Sequence, residues 1–460
     1  MNTGSKYPIA FLERMKLILG EDYENFLKSL SEVPPVAVRL NPQKSSTLFN
    51  NNEPVPWCEN ARYLTERPIF TLDPAFQGGA YYVQEASSMF LEQAMKQTVN
   101  LSEDIKVLNL CAAPGGKATH ICSLITPGSL LISNEVIRSR VPPLEQNIIK
   151  WGNSNVIITN NDPKDFQKLS GYFDVVVLDA PCSGEGLFRK DAAAIGEWSE
   201  NNVNLCSARQ KRILSDVVDC LKPGGMLIYS TCTYSLEENE ENMQWLLGSN
   251  NFVSEKIQTG NNWKITEMET LAGDKKIYSY RFYPHKTKGE GFFISCLRKD
   301  GRISSEKDHR PYKNRNKPEA LQKKHCIVAE KWLAEPRLYE WLLINDQVMA
   351  IQQSQVEDLQ LLRVSLYLKH AGINMGKIIN NELIPSHDLA LSTAISPKIP
   401  FIELNLEQAI IYLKKQELKP DTKGMQGWVL VKYKGLNLGW IKVLTNRINN
   451  YLPKEWRIRM

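Results

Sequence analysis

Apolar positions recur at three- and four-residue steps through Phe11, Met15, Leu17, Ile18, Tyr23, Phe26, Leu27 and Leu30, which predicts helix over residues 1–30. Pro34-Pro35 ends that pattern, and Val36-Ala37-Val38-Arg39-Leu40-Asn41 reads as a strand. Short runs broken by Pro and Gly follow as far as about residue 94, as in a small α+β unit. From about 101 to 299 the period switches repeatedly between strand and helix, with apolar runs ending near Leu110, Ser133, Thr159, Leu178 and Tyr229. That alternation predicts βαβ units and a parallel sheet covered on both faces. A hairpin from Ile277 to Leu297, turning at Pro284-His285 and Gly289-Glu290-Gly291, closes the block.

Residues 300–320 lose the apolar period and carry Arg302, Lys307, Arg310, Lys313, Arg315 and Lys317, the composition of a basic linker or arm. Trp332, Leu333, Leu338, Trp341, Leu342, Leu343, Leu359, Leu361, Leu362 and Leu366 then predict a helical segment. A helix over Leu406–Leu418 and two Gly-punctuated strands, Gly427–Val431 and Leu438–Val443, predict a compact β module at the end. The pattern thus divides the chain into an α+β appendage (1–95), an α/β unit (96–300), a basic linker (301–320), a helical intermediate domain (321–395) and a β module (396–460).

With 460 residues, several cores are expected rather than one. Hydrophobic residues at 42% and charged residues at 23% describe a soluble globular protein, and no apolar run approaches the ~18 residues of a membrane span. The amino-terminal stretch carries Glu13, Glu21 and Asp22 and lacks a small-residue cleavage site, which argues against secretion. Nine cysteines with no paired C-x-x-C spacing read as reduced thiols in a cytoplasm, with no disulfide frame and no metal. From Lys414 to Met460 eleven Lys/Arg face three Asp/Glu, a bias that suits RNA or, more simply, a solvated basic face.

The chemistry gathers at the predicted strand ends. Val107-Leu108-Asn109-Leu110 runs into Cys111-Ala112-Ala113-Pro114-Gly115-Gly116-Lys117, a strand feeding a helix through a small-residue turn. Such a turn aims N–H groups and a positive helix end at one spot, and Gly lets a ligand approach closely. Glu135, after the second apolar run, stands where doubly wound sheets hold ribose hydroxyls. The turn is not G-x-G-x-x-G, which disfavours a nicotinamide dinucleotide, and an ordinary strand-to-helix turn is the plain alternative. Asp162, Asp179-Ala180-Pro181-Cys182 and Thr231-Cys232 fall at the same predicted edge. Tyr81-Tyr82, beside Gln84, either stack on bases or dock their segment on the next domain.

Two cysteines at two strand ends beside a nucleotide-type crevice invite thiolate chemistry. A lone one would read as a small core residue. Ser235 and Glu238 read as a capping box just past Cys232, and the positive end of that helix would favour a thiolate there. Cytosine carbon 5 is too poor a nucleophile to take a methyl group unaided. A thiolate on carbon 6 makes carbon 5 enamine-like, a carboxyl group on ring nitrogen 3 helps, and a base must then remove the carbon 5 proton. Asp179, Cys182 and Cys232 fit those needs.

Cys-Ala-Ala-Pro-Gly-Gly-Lys, Asp-Ala-Pro-Cys-Ser-Gly-Glu-Gly and Ser-Thr-Cys-Thr-Tyr-Ser-x-Glu-Glu-Asn-Glu resemble the Nol/Nop/Sun family of RNA cytosine-5 methyltransferases. The tail Tyr451-Leu452-Pro453-Lys454-Glu455-Trp456 resembles its bacterial ribosomal RNA branch with a PUA-like C-terminal domain. The resemblance implies a Rossmann-like S-adenosylmethionine fold, a catalytic site for 16S ribosomal RNA, and a monomer in the cytoplasm. It implies that Cys111, Ala112, Ala113, Pro114, Gly115, Gly116, Lys117, Glu135, Asp162 and Asp179 line the cofactor site. By the same route Cys232 is the nucleophile and Cys182 assists product release. Asn109 departs from the family's usual Asp, and Pro142-Pro143 is unusual within the following helix. The alternatives are the same chemistry on transfer RNA and a non-catalytic RNA-binding assembly factor, which would need no pair of thiols.

Overall fold

The computed structural model describes residues 6–44, 48–249, 252–301 and 319–459. The amino-terminal helical pattern resolves into Ile9–Leu19 and Tyr23–Ser29, which bury Phe11, Met15 and Phe26 against Phe188, Trp198 and Tyr234 of the catalytic region. A three-stranded sheet follows, with β1 (Val36–Leu40) between β2 (Ala61–Leu64) and β3 (Tyr81–Val83). From β1, Arg39 enters the next unit. It donates to Gln84 Oε1 (2.9 Å), Gly116 O (3.2 Å) and Thr119 Oγ1 (2.6 Å), and lies over the Trp151 ring.

Five parallel strands form the centre of the molecule: β4 (Lys106–Leu110), β5 (Leu130–Asn134), β6 (Val156–Thr159), β7 (Phe173–Asp179) and β8 (Leu221–Thr231). They are ordered β8-β7-β4-β5-β6, so the chain reverses direction across the sheet beside β4. Both faces are covered, because successive residues feed different cores. Val107 joins one cluster with Ala118 and Ile148, while Leu108 and Leu110 join the other with Leu214 and Leu246. β9 (Phe252–Glu255), β10 (Thr266–Ala272), β11 (Lys275–Phe282) and β12 (Phe292–Lys299) extend the sheet antiparallel, the last two being the expected hairpin. Pro142 and Pro143 sit in the first turn of helix Val141–Trp151, where a missing N–H removes no helical bond.

The basic linker lies outside the described residues apart from Gly301, Glu319 and Ala320. The segment after it is not the helical domain that its apolar spacing predicts. It carries β13 (Glu319–Ala320), β14 (Tyr339–Ile344), β15 (Gln347–Gln352), β16 (Leu368–Ala371), β17 (Ile373–Ile379) and β18 (Glu382–Pro385), with helix Val356–Ser365 between. Tyr339 and Trp341 face one core and Leu342 the other, a period of two hidden under a run of large side chains. Asn345-Asp346 and Asn380-Asn381, each with both φ between 50° and 60°, make the two-residue turns that fold β14 onto β15 and β17 onto β18. β16 leaves this sheet and pairs antiparallel with β6, closing the edge of the catalytic sheet.

The last unit holds helix Leu406–Leu413 and β19 (Phe401–Glu403), β20 (Gly427–Tyr433), β21 (Leu436–Val443) and β22 (Ile448–Asn450) in sequence order. Leu436 packs with Val38, Leu40 and Tyr81, joining the two ends of the chain. Lys44 Nζ reinforces the junction by donating to Gly78 O, Lys150 O and Leu391 O. Among the described residues no helix is long and apolar enough to cross a membrane.

Candidate active site

The carboxyl ends of β8, β7, β4 and β5 lie side by side along one edge of the sheet. Past β4 the chain turns sharply at Cys111 (φ 60°), and Gly115 (φ 115°) caps helix Gly116–Leu124 with a backbone conformation that a side chain disfavours. Past β5 the buried Glu135 carboxylate accepts from Ile137 N–H (2.9 Å) and Ala113 N–H (3.3 Å). Arg140 Nη2 donates to Ala113 O (2.7 Å), so the loop after β5 grips the turn after β4. Immediately beyond Glu135, Val136 and Ile137 leave 45% and 49% of their surface exposed, an apolar wall in an otherwise polar rim.

Lys117 and Asp179 form an ion pair at 2.7 Å. The lysine is 10% exposed and the carboxylate 39%, so the pair presents an acid to the crevice on a buried cation. Ser230 Oγ donates to the same Asp179 oxygen (3.1 Å). Past β7 and β8 stand Cys182 and Cys232, half-buried, with their sulfurs 3.3 Å apart. The Cys182 thiol is pushed well above the ordinary thiol range, first by its hydrogen bond with Cys232, then by burial and by Glu238. Two thiolates this close repel, so Cys182 is the sulfur that keeps its proton.

Two carboxyls hold the thiol loops: Glu238, read from sequence only as part of a helix cap, and Glu185, given no role there. Glu238 accepts from Ser183 N–H (2.9 Å), Ser183 Oγ (2.5 Å) and Gln210 Nε2 (3.0 Å), tying the Cys182 loop to the Cys232 loop. Burial pushes its pKa up to about 7. Glu185 accepts from Trp198 Nε1 (2.8 Å), Thr233 Oγ1 (2.9 Å) and Tyr234 N–H (2.9 Å). Their sequence signals were a cap spacing for Glu238 and a lone acid in a small-residue turn for Glu185, neither of which reveals a buried carboxyl before the loops are folded. The Ser235–Glu238 capping box is not formed. The helix starts at Glu240, Ser235 Oγ donates to Glu237, and Glu238 turns inward to Ser183.

Asp162 is less engaged with the crevice than its strand-end position suggests. It caps the turn Pro163–Leu169 through Lys164 N–H (3.2 Å) and faces Arg212 Nη1 at 3.3 Å. Asn109 lies wholly inside the sheet, where neither amide atom has a partner among the described residues. A neutral amide costs less to bury there than the carboxylate it replaces. Tyr81 and Tyr82 dock the amino-terminal unit. Tyr81 hydrogen-bonds Asp73 (2.5 Å) among aromatic neighbours, and Tyr82 packs beside Gly116.

Three family models match the chain: 16S rRNA methyltransferase RsmB/F over residues 96–298, the N-terminal domain of 16S rRNA methyltransferase RsmF over 7–86, and the methyltransferase RsmF PUA domain over 400–458. Ribosomal RNA small subunit methyltransferase F of Vibrio atlanticus is 30% identical over 99% of this chain and 98% of its own length. The protein of that name from Psychromonas ingrahamii is also 30% identical, again over 99% and 98%. Among solved structures, a methyltransferase homologue from Pyrococcus horikoshii superposes with a TM-score of 0.55 at 28% identity, covering 64% of this chain and 95% of that one. Motifs, sheet order and these full-length likenesses agree, and the chain belongs to the RsmB/F family of 16S ribosomal RNA methyltransferases, on its small subunit methyltransferase F branch.

Proposed function

We propose that this protein methylates carbon 5 of a cytosine in small-subunit ribosomal RNA through a transient bond between Cys232 and the pyrimidine ring. The thiol pair 3.3 Å apart beside an acid-bearing nucleotide crevice carries this reading. The cofactor is S-adenosylmethionine, and the crevice fits it. Glu135 suits the ribose hydroxyls, the exposed Val136 and Ile137 suit the flat face of a purine, and the turn Cys111–Gly116 admits the chain that carries the sulfonium. Bound there, the cofactor supplies an electrophilic methyl group.

The roles of the chain's own residues follow from their surroundings. Cys232 Sγ adds to carbon 6, and the Lys117–Asp179 pair, steadied by Ser230, shares its one proton with ring nitrogen 3 as negative charge enters the ring. Carbon 5 then forms its bond to the methyl group. Once Cys232 is a thioether it no longer carries charge beside Cys182, and the largest influence holding the Cys182 proton disappears. Cys182 is thereby freed to give its proton to solvent and take the carbon 5 proton as a thiolate; the electrons of that C–H bond reform the carbon 5–carbon 6 double bond, and Cys232 leaves carbon 6 with its bonding pair. A stacked base hides carbons 5 and 6, so the target must be unpaired or flipped. The amino-terminal unit and the basic C-terminal module supply backbone contacts that select the RNA. A ribosomal RNA substrate and nine free thiols suit a cytoplasmic enzyme.

Incubation of Cys182→Ala with small-subunit RNA and S-adenosylmethionine is expected to accumulate a protein–RNA adduct stable to denaturing gels. Cys232→Ala is expected to give neither adduct nor product. Methylation by Cys232→Ala at the wild-type rate overturns the reading, as does methyl transfer to an atom other than cytosine carbon 5.

A further inference from the structure

Away from the thiol pair, Cys58, Glu92 and His120 converge from three elements: the turn before β2, helix Leu91–Thr98 and helix Gly116–Leu124. They are 1%, 3% and 1% exposed. Cys58 Sγ lies 3.0 Å from Glu92 Oε2 and 3.7 Å from His120 Nε2, and that nitrogen lies 3.2 Å from the same oxygen. Bonds of about 2.0–2.3 Å from a tetrahedral zinc ion set donor-to-donor edges of roughly 3.3–3.6 Å, so the triangle needs only small adjustment to close on one. The donors are 34 and 28 residues apart in sequence, and no linear spacing rule reveals them.

The surroundings prepare each donor. The outer oxygen of Glu92 is fixed by Lys96 Nζ (2.7 Å) and Glu59 N–H (3.2 Å), which turns Oε2 toward the sulfur and the imidazole. Burial opposes ionisation of Glu92, but hydrogen bonds from His120 and Lys96 outweigh it and hold the carboxyl below its ordinary range. His120 Nε2 holds the ring proton toward Glu92 Oε2 (3.2 Å) before binding, while Nδ1 is buried with no partner among the described residues; binding moves the ring proton to Nδ1 and turns the Nε2 lone pair to the ion. Glu92 and His120 also line a cavity with Glu59, Asn60 and Lys96, a route for an ion and for a water.

We propose that Cys58, Glu92 and His120 form a three-ligand site for a divalent cation of the zinc type, with cavity water in the fourth position. Binding exchanges the Sγ proton, released to solvent, for a metal–sulfur bond, and no electrons are transferred. The exchange adds one unit of positive charge next to Arg39 and Lys96, which sets the affinity below that of a four-ligand structural site. The ion ties the helix that follows the cofactor turn to the amino-terminal unit.

The test is titration of the chelator-treated full-length protein with Co²⁺. The expected result is one cobalt per chain, a thiolate-to-cobalt charge-transfer band in the near ultraviolet, displacement by Zn²⁺, and a higher thermal midpoint with Zn²⁺ than without. Cys58→Ser is expected to lose the charge-transfer band, and His120→Gln to weaken binding about tenfold or more. The proposal is overturned if the wild-type protein gives no such band and no zinc-dependent midpoint shift. It is equally overturned if Cys58→Ser keeps the band, which would assign the sulfur to another cysteine.

Discussion

Gly186→Ala tests how tightly the loop that carries Cys232 is held. Gly186 N–H donates to Cys232 O (2.9 Å) from the turn Glu185–Leu187, so the loops after β7 and β8 meet backbone to backbone. A Cβ at this position would lie 2.5 Å from Gly291 O and 2.8 Å from Cys232 O, against ordinary contacts of 3.4–4 Å. Neither oxygen belongs to a flexible side chain. The two carbonyls must therefore retreat by about 0.9 and 0.6 Å in a close-packed interior that transmits the shift. Overpacking of this kind destabilises by about 1–3 kcal/mol. A misplacement approaching 1 Å at a reacting group lowers the rate by about 10²-fold. The expected outcome is a lower thermal midpoint and a single-turnover methylation rate reduced by between one and two orders of magnitude, measured by label transfer to small-subunit RNA. Gly273→Ala is the control. Its φ is +59° and nothing lies within 4 Å of its Cβ, so it is expected to cost about 1–2 kcal/mol and leave the rate unchanged. A wild-type rate in Gly186→Ala would refute the argument that Cys232 is positioned by this contact.

Two further outcomes follow from the buried charges. The Glu238 pKa is raised above its unfolded value of 4.5 to about 7, so its favourable contribution is present below pH 4.5 and is lost as pH rises through 7. The wild-type thermal midpoint should therefore fall relative to that of Glu238→Gln between about pH 5 and pH 8, and parallel pH curves for the two proteins would sink the assignment. Arg281 donates to Glu240 (2.6 Å from Nε to Oε1) and to Tyr234 O (2.8 Å), and both ionic side chains are nearly inaccessible. Arg281→Met strands a carboxylate and is expected to cost about 3–5 kcal/mol in urea unfolding. Adding Glu240→Leu should recover most of that loss, and equal losses in the single and double variants would contradict it.

The catalytic unit was largely legible from sequence because its parallel strands are continuous apolar runs and its chemistry sits at their ends. Cys111 to Lys117, Glu135, Asp179, Cys182 and Cys232 all reach the crevice. The segment after residue 320 was misread for a physical reason. Trp341 and Leu342 are buried toward two different cores and Leu343 is half-buried, so their run shows no alternation, and the turn signal Asn345-Asp346 is weaker than Asn-Gly. The Ser235–Glu238 box failed because the inward pull of Ser183 and Gln210 on Glu238 is tertiary, and local spacing does not contain it. Asp162, read as a cofactor residue from its strand-end position and from the family resemblance, also caps a local turn and pairs with Arg212. Glu185, Glu238 and the Cys58–Glu92–His120 triangle depend on residues far apart in the chain.

β16 has a consequence for the order in which the protein can be made. The open side of β6 carries a row of unpaired backbone groups until Leu368–Ala371 arrives, 209 residues further along the chain (from Thr159 to Leu368). During synthesis the half-finished enzyme therefore presents a raw sheet edge, the kind of surface that recruits other nascent chains. Expression of residues 1–300 alone would preserve every catalytic group and still leave that edge bare, so a truncated catalytic fragment is expected to aggregate even though its active site is complete.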